Sequence, residues 1–137
     1  MTPGEVENAE ENLRRADQAL RVTRLLLEAG ALEDAASRVY YSAFHAARAA
    51  LTVRGRYAKT HSGQITLFEA NFGPTPIIRD LFELRGQADY GAEPFRTSRE
   101  ELEDRLVQAT AFVEQCRGLV TEISAAGPDE PDPPPDY

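Results

Sequence analysis

The apolar residues near the start of the chain recur at the spacing of an α-helix. Steps of three and four residues alternate along one stripe, which consists of Val6, Ala9, Leu13, Ala16, Leu20, Thr23 and Leu27. Such alternation places side chains on a single face of a helix. Gly30 comes next, and glycine is favoured just beyond a helix C-terminus. The pattern predicts a first helix that ends near Gly30, with its acidic first turns favoured by the helix dipole.

A second helix is predicted over residues 31–54, and its apolar face is rich in alanine. The same alternation of four and three links Ala36, Tyr40, Ala43, Ala47 and Ala50. The small alanine side chains let neighbouring helices approach closely. Since almost nothing separates this segment from the first helix, we expect the two to form an antiparallel hairpin.

Three shorter patterns predict three further helices. Residues 55–60 are expected to form a loop, and residues 61–72 a third helix. A fourth begins at Pro76, because proline suits the first turn of a helix, and it fades at residues 90–91. The last helix opens after residue 97 with a capping box, in which either Ser98 or Thr97 supplies the cap. Its apolar stripe includes Leu102, Leu106, Ala109, Val113, Cys116 and Val120.

These elements predict an all-α protein, a bundle of about five helices. No segment shows the alternation of a β-strand. We place the bundle at residues 1–126. Residues 127–137 carry prolines and acids and almost no apolar residue, so we predict a disordered acidic tail.

The composition excludes several classes of protein. A single cysteine, Cys116, rules out an internal disulfide and lies on the apolar stripe, so we assign it to the core. Two histidines and one cysteine are too few for a structural zinc site, and no glycine-rich phosphate loop occurs. We expect no metal and no cofactor. Without a long apolar run or a secretion signal, we expect a cytoplasmic protein that does not bind membranes.

The charge is distributed unevenly. The chain has a net charge of −8, yet residues 35–68 contain no acid. Their basic residues are Arg38, Arg48, Arg54, Arg56 and Lys59, and both histidines, His45 and His61, lie there too. The stretch is either a solvated helix face balanced by neighbouring acids or a face that binds phosphate or RNA.

A polar line runs along the second predicted helix, away from its alanine stripe. Asp34, Arg38, Tyr41, His45 and Arg48 follow one another at steps of four and three. The line is either a solvent face with local ion pairs, such as Asp34 with Arg38, or a functional surface, which includes the seam of a dimer.

A second polar cluster is predicted near the end of the fourth helix. Arg85 and Asp89 are four residues apart, so one helical turn can pair them. Arg85 also lies on the apolar side of its helix and therefore needs a partner, either Asp89 or an acid across an interface. Tyr90 adjoins the pair.

Three sequence blocks resemble a known family. They are RVYYSAFHAAR at residues 38–48, KTHSG at residues 59–63, and FELR with ADY at residues 82–90. In this order and spacing they are similar to the small stand-alone HEPN proteins of bacteria and archaea. The resemblance implies an up-and-down bundle of four to five helices that forms a homodimer. It also implies pairing with a minimal nucleotidyltransferase in a toxin–antitoxin or related defence module.

The resemblance also implies residues for chemistry. Many HEPN proteins are metal-independent ribonucleases, in which an arginine is followed after four to six residues by a histidine. Arg85 matches that arginine, but Asp89 and Tyr90 stand where the histidine is expected. A carboxylate that pairs with arginine is a poor general acid near neutral pH.

Three hypotheses follow for the function. The first is a HEPN component of a nucleotidyltransferase–HEPN or similar module, which binds RNA or a nucleotide through Arg85 and the basic residues of segment 35–68. The second is a metal-independent endoribonuclease that uses Arg85 with a histidine from elsewhere, His45 or His61. The third is a catalytically silent module that only binds a protein partner.

Overall fold

The structure, a computed structural model, describes residues 1–126 and contains five α-helices over that range. They are α1 (Pro3–Glu28), α2 (Leu32–Val53), α3 (His61–Phe72), α4 (Pro76–Tyr90) and α5 (Arg99–Ala126). No strand occurs among the described residues. The prediction of an all-α helical bundle is confirmed, and the helix ends lie within a few residues of the predicted ones. The predicted tail, residues 127–137, lies outside the described part of the chain.

Helix α2 occupies the centre of the bundle. It packs against α1, α3, α4 and α5, while α5 also contacts α1 and α4. The connection from α1 to α2 is short, and Gly30 adopts a φ of 75° there. That left-handed conformation is readily accessible to glycine, and it lets α2 fold back along α1 as the predicted hairpin.

Polar side chains define where three of the helices begin. Thr2 caps α1 in a reciprocal box with Glu5, and Thr60 accepts a hydrogen bond from the Gly63 N–H at the start of α3. At α5, the Ser98 Oγ accepts the Glu101 N–H at 3.1 Å. Ser98 rather than Thr97 is therefore the residue that caps α5.

The core surrounds the alanine face of α2. Ala36, Ala43, Ala47 and Ala50 are completely buried there. The larger core side chains come from every other helix, and the fully buried ones include Ile65, Phe68, Ile78, Leu81, Leu102 and Val113. Cys116 is buried as well, as its place on the α5 stripe predicted. Burial raises the pKa of its thiol, so the thiol is a packing group at neutral pH.

Among residues 1–126, no helix has both the length and the mean hydropathy that a membrane span requires.

Candidate functional site

One strip of α2 remains uncovered by the rest of the bundle. We call it the open face, and it consists of Arg38, Tyr41, His45 and Arg48. These four residues are exposed or half-buried, whereas most of the remainder of α2 is buried. Helix α1 borders the open face on one side, where Asn12 contacts His45. Helix α4 borders it on the other, where Arg85 contacts Tyr41. The polar line predicted from the sequence therefore forms the floor of a groove between α1 and α4.

Arg85 is held in a cage of tyrosine rings beside the open face. Its Nη2 donates a hydrogen bond to the Tyr41 hydroxyl at 3.1 Å, and its Nε donates to the Asp89 Oδ2 at 3.1 Å. The guanidinium carbon lies 5.5 Å from the ring centre of Tyr40, 5.4 Å from that of Tyr41 and 5.6 Å from that of Tyr90. These distances are typical of cation–π contacts.

The predicted pair of Arg85 with Asp89 is thus present, and it also joins two helices. The Ser37 Oγ of α2 donates to the same Asp89 oxygen at 3.5 Å. The Arg85 side chain is only 15% exposed. Because its hydrogen bonds and its aromatic neighbours restrict the guanidinium, the group is pre-positioned for an anion at the edge of the open face.

His61 joins the cage from the start of α3. Its Nδ1 is hydrogen-bonded to the Tyr40 hydroxyl at 2.6 Å, and its ring stacks on Phe44 with centres 4.3 Å apart. Burial lowers the pKa of His61, and the charges of Arg85 and Arg48 lower it further. The imidazole is therefore neutral near neutral pH and can accept a proton.

His45 lies on the α1 side of the open face, in a separate hydrogen-bond network. Its Nδ1 is 3.0 Å from the Oδ1 of Asn12. The Asn12 amide donates to the backbone oxygen of Asn8 at 3.0 Å and to its Oδ1 at 2.9 Å. Since Asn12 uses its Oδ1 as an acceptor, the His45 Nδ1 carries the proton. The Nε2 is consequently the acceptor of the ring.

Burial and charge both disfavour the protonated form of His45. Burial is the larger cause, and Arg15, Arg48 and Arg38 add to it, so the pKa falls from 6.5 to about 4. The groove thus has a positive potential at this point, with a neutral imidazole inside it.

The depressed pKa of His45 predicts a loss of stability in weak acid. Since the unfolded chain takes up this proton near pH 6.5 and the folded one near pH 4, His45 contributes stability above pH 6.5 that is lost as the pH falls towards 4. We expect His45 to lower the free energy of unfolding by about 2–3 kcal/mol between pH 7.5 and pH 4.5. Urea unfolding at both pH values measures this change.

His45→Asn is the matched variant for this measurement, because its amide can still donate to Asn12 but does not titrate. Acidic residues lose their contributions equally in both proteins, so the difference between wild type and variant isolates His45. Equal pH dependence in the two proteins would show that His45 titrates normally.

The remaining basic residues lie elsewhere. Arg54 is at the C-terminal end of α2, with its guanidinium 5.2 Å from the ring centre of Phe72. Arg56 and Lys59 are in the loop that follows. The rise along α2 separates Arg54 from Tyr41 by about 20 Å. The basic residues of segment 35–68 therefore lie on two separate surfaces, the open face and the region around the C-terminal end of α2. The Arg38 guanidinium lies 5.6 Å from the ring centre of Tyr41, and among residues 1–126 it forms no ion pair with Asp34.

Some members of the site were not recognised from the sequence. Tyr40 was assigned to the apolar stripe of α2, and it is fully buried, but its hydroxyl reaches His61. Asn12 lies between the stripe positions Ala9 and Leu13, where a polar residue does not interrupt the pattern, so the sequence carries no signal for its contact with His45. Among residues 1–126, no cluster of three or more histidine, cysteine or acidic residues could hold a metal ion.

The fold and the site together define a class of protein, an all-α bundle whose central helix carries a basic and aromatic face beside a caged arginine. The chain belongs to the HEPN family, since the model of the HEPN domain matches residues 9–119. The family resemblance seen in the three sequence blocks is thereby confirmed and extends to the outer helices.

Several relatives match most of the chain. A protein of Methanocaldococcus jannaschii that bears the name "Putative toxin MJ0605" is 31% identical over 126 residues, which cover 86% of this chain and 87% of that protein. A UPF0332 protein of Gloeobacter violaceus is 32% identical over 108 residues, or 73% of this chain and 86% of that protein. A UPF0332 protein of Thermotoga maritima is 29% identical over 121 residues, or 82% and 91%.

Proposed function

We propose that the chain is the toxin-type HEPN component of a two-protein module and that it binds RNA, or a nucleotide, at the Arg85 cage and the open face. The observation that carries the proposal is the caged guanidinium of Arg85, which two hydrogen bonds and three tyrosine rings hold at the edge of the open face. A restrained arginine next to the exposed ring of Tyr90 suits both parts of a nucleotide, since the guanidinium binds phosphate and an aromatic ring stacks on a base. The toxin name of a relative supports the biological setting.

The partners belong to the same proposal. The family resemblance supports a homodimer as the working unit and a minimal nucleotidyltransferase as the partner protein. Tyr90 is 76% exposed beside Arg85, so its ring is available for contact with a second copy, a partner or a base.

Replacing Arg85 with alanine tests the proposal. A charge-assisted hydrogen bond contributes about 1.5–3 kcal/mol, so we expect Arg85→Ala to weaken binding of a short single-stranded RNA by about 10- to 100-fold. Fluorescence anisotropy measures the affinity. In parallel, growth of a bacterial host that expresses the wild type should slow, and Arg85→Ala should restore it.

Arg24→Ala is the matched control, because it removes the same charge from α1. Arg24 follows Arg15 by nine residues, which is two and a half helical turns, so it lies on the side of α1 opposite Arg15. We expect its RNA affinity and growth effect to equal those of the wild type. Unchanged affinity and unchanged growth in Arg85→Ala would refute the site.

One observation favours a second candidate function, that of an endoribonuclease. His61 lies against two of the three tyrosines that enclose Arg85, with its ring centre 5.7 Å from that of Tyr40 and 6.1 Å from that of Tyr41. In the tautomer whose Nδ1–H donates to the Tyr40 oxygen, the His61 Nε2 could take the proton of a ribose hydroxyl while the arginine holds the phosphate. His45 is the other histidine considered from the sequence, and it lies on the α1 side of the open face, where its Nδ1 is hydrogen-bonded to Asn12.

A further inference from the structure

A pocket of about 510 Å³ lies between α1 and α2, beside Tyr41. Its lining comes from both helices and includes Arg14, Arg15, Gln18, Arg38, Tyr41 and His45. Arg85 does not line it. Tyr41 is therefore shared between two sites, because its hydroxyl accepts the Arg85 hydrogen bond while its side chain forms part of the pocket.

The charge of the pocket favours an anion. Arg14 and Arg15 share a single carboxylate, that of Glu11, at 2.7 Å and 3.1 Å. Arg38 adds a third guanidinium, which lies over the Tyr41 ring. Three positive groups against one negative group leave an excess of positive charge, and Glu11 leaves guanidinium donors available to a phosphate.

The pocket also requires a ligand with a hydrogen-bond donor. The His45 ring lines it, and the Nδ1 of that ring is committed to Asn12. The Nε2 is therefore the acceptor of the ring, in a pocket whose charged lining groups are arginines that can only donate. Because the pKa of His45 is about 4, this acceptor persists at neutral pH. A phosphodiester has no hydrogen-bond donor, whereas a ribose 2′-hydroxyl is one.

We propose that the pocket between α1 and α2 is a second subsite for RNA, in which Arg15 and Arg38 bind a phosphate and the His45 Nε2 accepts a hydrogen bond from the adjacent 2′-hydroxyl. The inference rests on the proposed RNA binding. The hydrogen bond to the 2′-hydroxyl would make the binding site prefer ribose to deoxyribose. The guanidiniums of Arg85 and Arg38 lie 5.4 Å and 5.6 Å from the centre of the Tyr41 ring. They are therefore at most about 11 Å apart, which about three stacked nucleotides of one strand can span.

The test compares one short RNA with the DNA of the same base sequence, by anisotropy, over a range of salt concentrations. We expect the wild type to bind the RNA about 3- to 10-fold more tightly than the DNA, since one net hydrogen bond contributes about 0.5–1.5 kcal/mol. His45→Asn should abolish this preference, because its amide can replace the Nδ1 donor to Asn12 but offers no Nε2.

Arg15→Ala should act differently. It should weaken the binding of RNA and of DNA by a similar factor of about 3- to 10-fold. It should also reduce the slope of log K against log salt concentration by about 0.7, as expected for one lost phosphate contact on a single strand. Arg15 is largely exposed, so this variant remains informative even if His45→Asn folds poorly. Arg24→Ala again serves as the control and should match the wild type.

The outcomes separate this inference from the proposed function. If Arg85→Ala weakens binding while His45→Asn and Arg15→Ala behave as the wild type, the second subsite is refuted and the RNA-binding function stands. If Arg85→Ala has no effect either, the proposed function itself fails. Loss of the ribose preference in His45→Asn together with the reduced salt slope in Arg15→Ala would support the subsite.

Discussion

Phe68→Ala is expected to lower the free energy of unfolding by about 3–5 kcal/mol. Phe68 is fully buried, and its ring centre lies 4.8 Å from that of Phe72 and 5.4 Å from that of Phe112. Through Phe112 it connects the short helix α3 to α5. Truncation to alanine removes the favourable free energy of transferring the ring from water into the core. It also leaves a cavity that the packed helices cannot close.

Equilibrium unfolding in urea measures this loss, with two companion variants. Phe68→Leu retains most of the volume and should cost less than about 1.5 kcal/mol. Val107→Ala removes an apolar side chain that is 69% exposed on α5, so it should change the stability by less than about 0.5 kcal/mol. A Phe68→Ala variant as stable as Val107→Ala would mean that α3 does not pack on α5 through this ring.

His61→Ala is expected to lower the rate of RNA cleavage by about 10²–10⁴-fold if the chain acts as an endoribonuclease. The His61 imidazole is neutral near neutral pH, lies against the tyrosines of the Arg85 cage, and is oriented by the Tyr40 hydroxyl at 2.6 Å. Removal of the imidazole takes away the proton acceptor and leaves the arginine cage in place. Single-turnover cleavage of a labelled RNA by the purified protein measures the rate.

Arg24→Ala is the control for this assay, since Arg24 lies on the side of α1 opposite Arg15 and outside both proposed sites. We expect its cleavage rate to equal that of the wild type. Cleavage that survives the loss of both histidines would rule out the mechanism. A purified wild type without cleavage activity would leave binding as the function of the site.

The fold was accessible from the sequence because each helix carries its own periodic signal. Alternating steps of three and four residues depend only on helix geometry, and the boundaries coincide with residues such as Gly30 and Pro76 that act locally. The start of α1 was explained less well. We attributed it to acidic residues and the helix dipole, whereas the structure shows a reciprocal box between Thr2 and Glu5.

The sequence predicts the arrangement of the site only where its residues lie on one helix. The spacing of Arg38, Tyr41, His45 and Arg48 placed them on one face of α2, and the pairing of Arg85 with Asp89 follows from one helical turn. The contact between His61 and Tyr40 depends on how α3 packs on α2, which no local pattern specifies. For the same reason, Arg54 is close to Arg48 in sequence but contacts Phe72 at the end of the helix.

The central position of α2 has a consequence for how a bound ligand would be detected. Every other helix packs on α2, so its backbone hydrogen bonds should open only when the whole domain unfolds. Arg38, Tyr41, His45 and Arg48 project from this helix, and occupation of the open face therefore stabilises the complete bundle rather than a single segment. A ligand at 100 times its dissociation constant would add about 2.7 kcal/mol to the global unfolding free energy and slow amide exchange along α2 to the same extent.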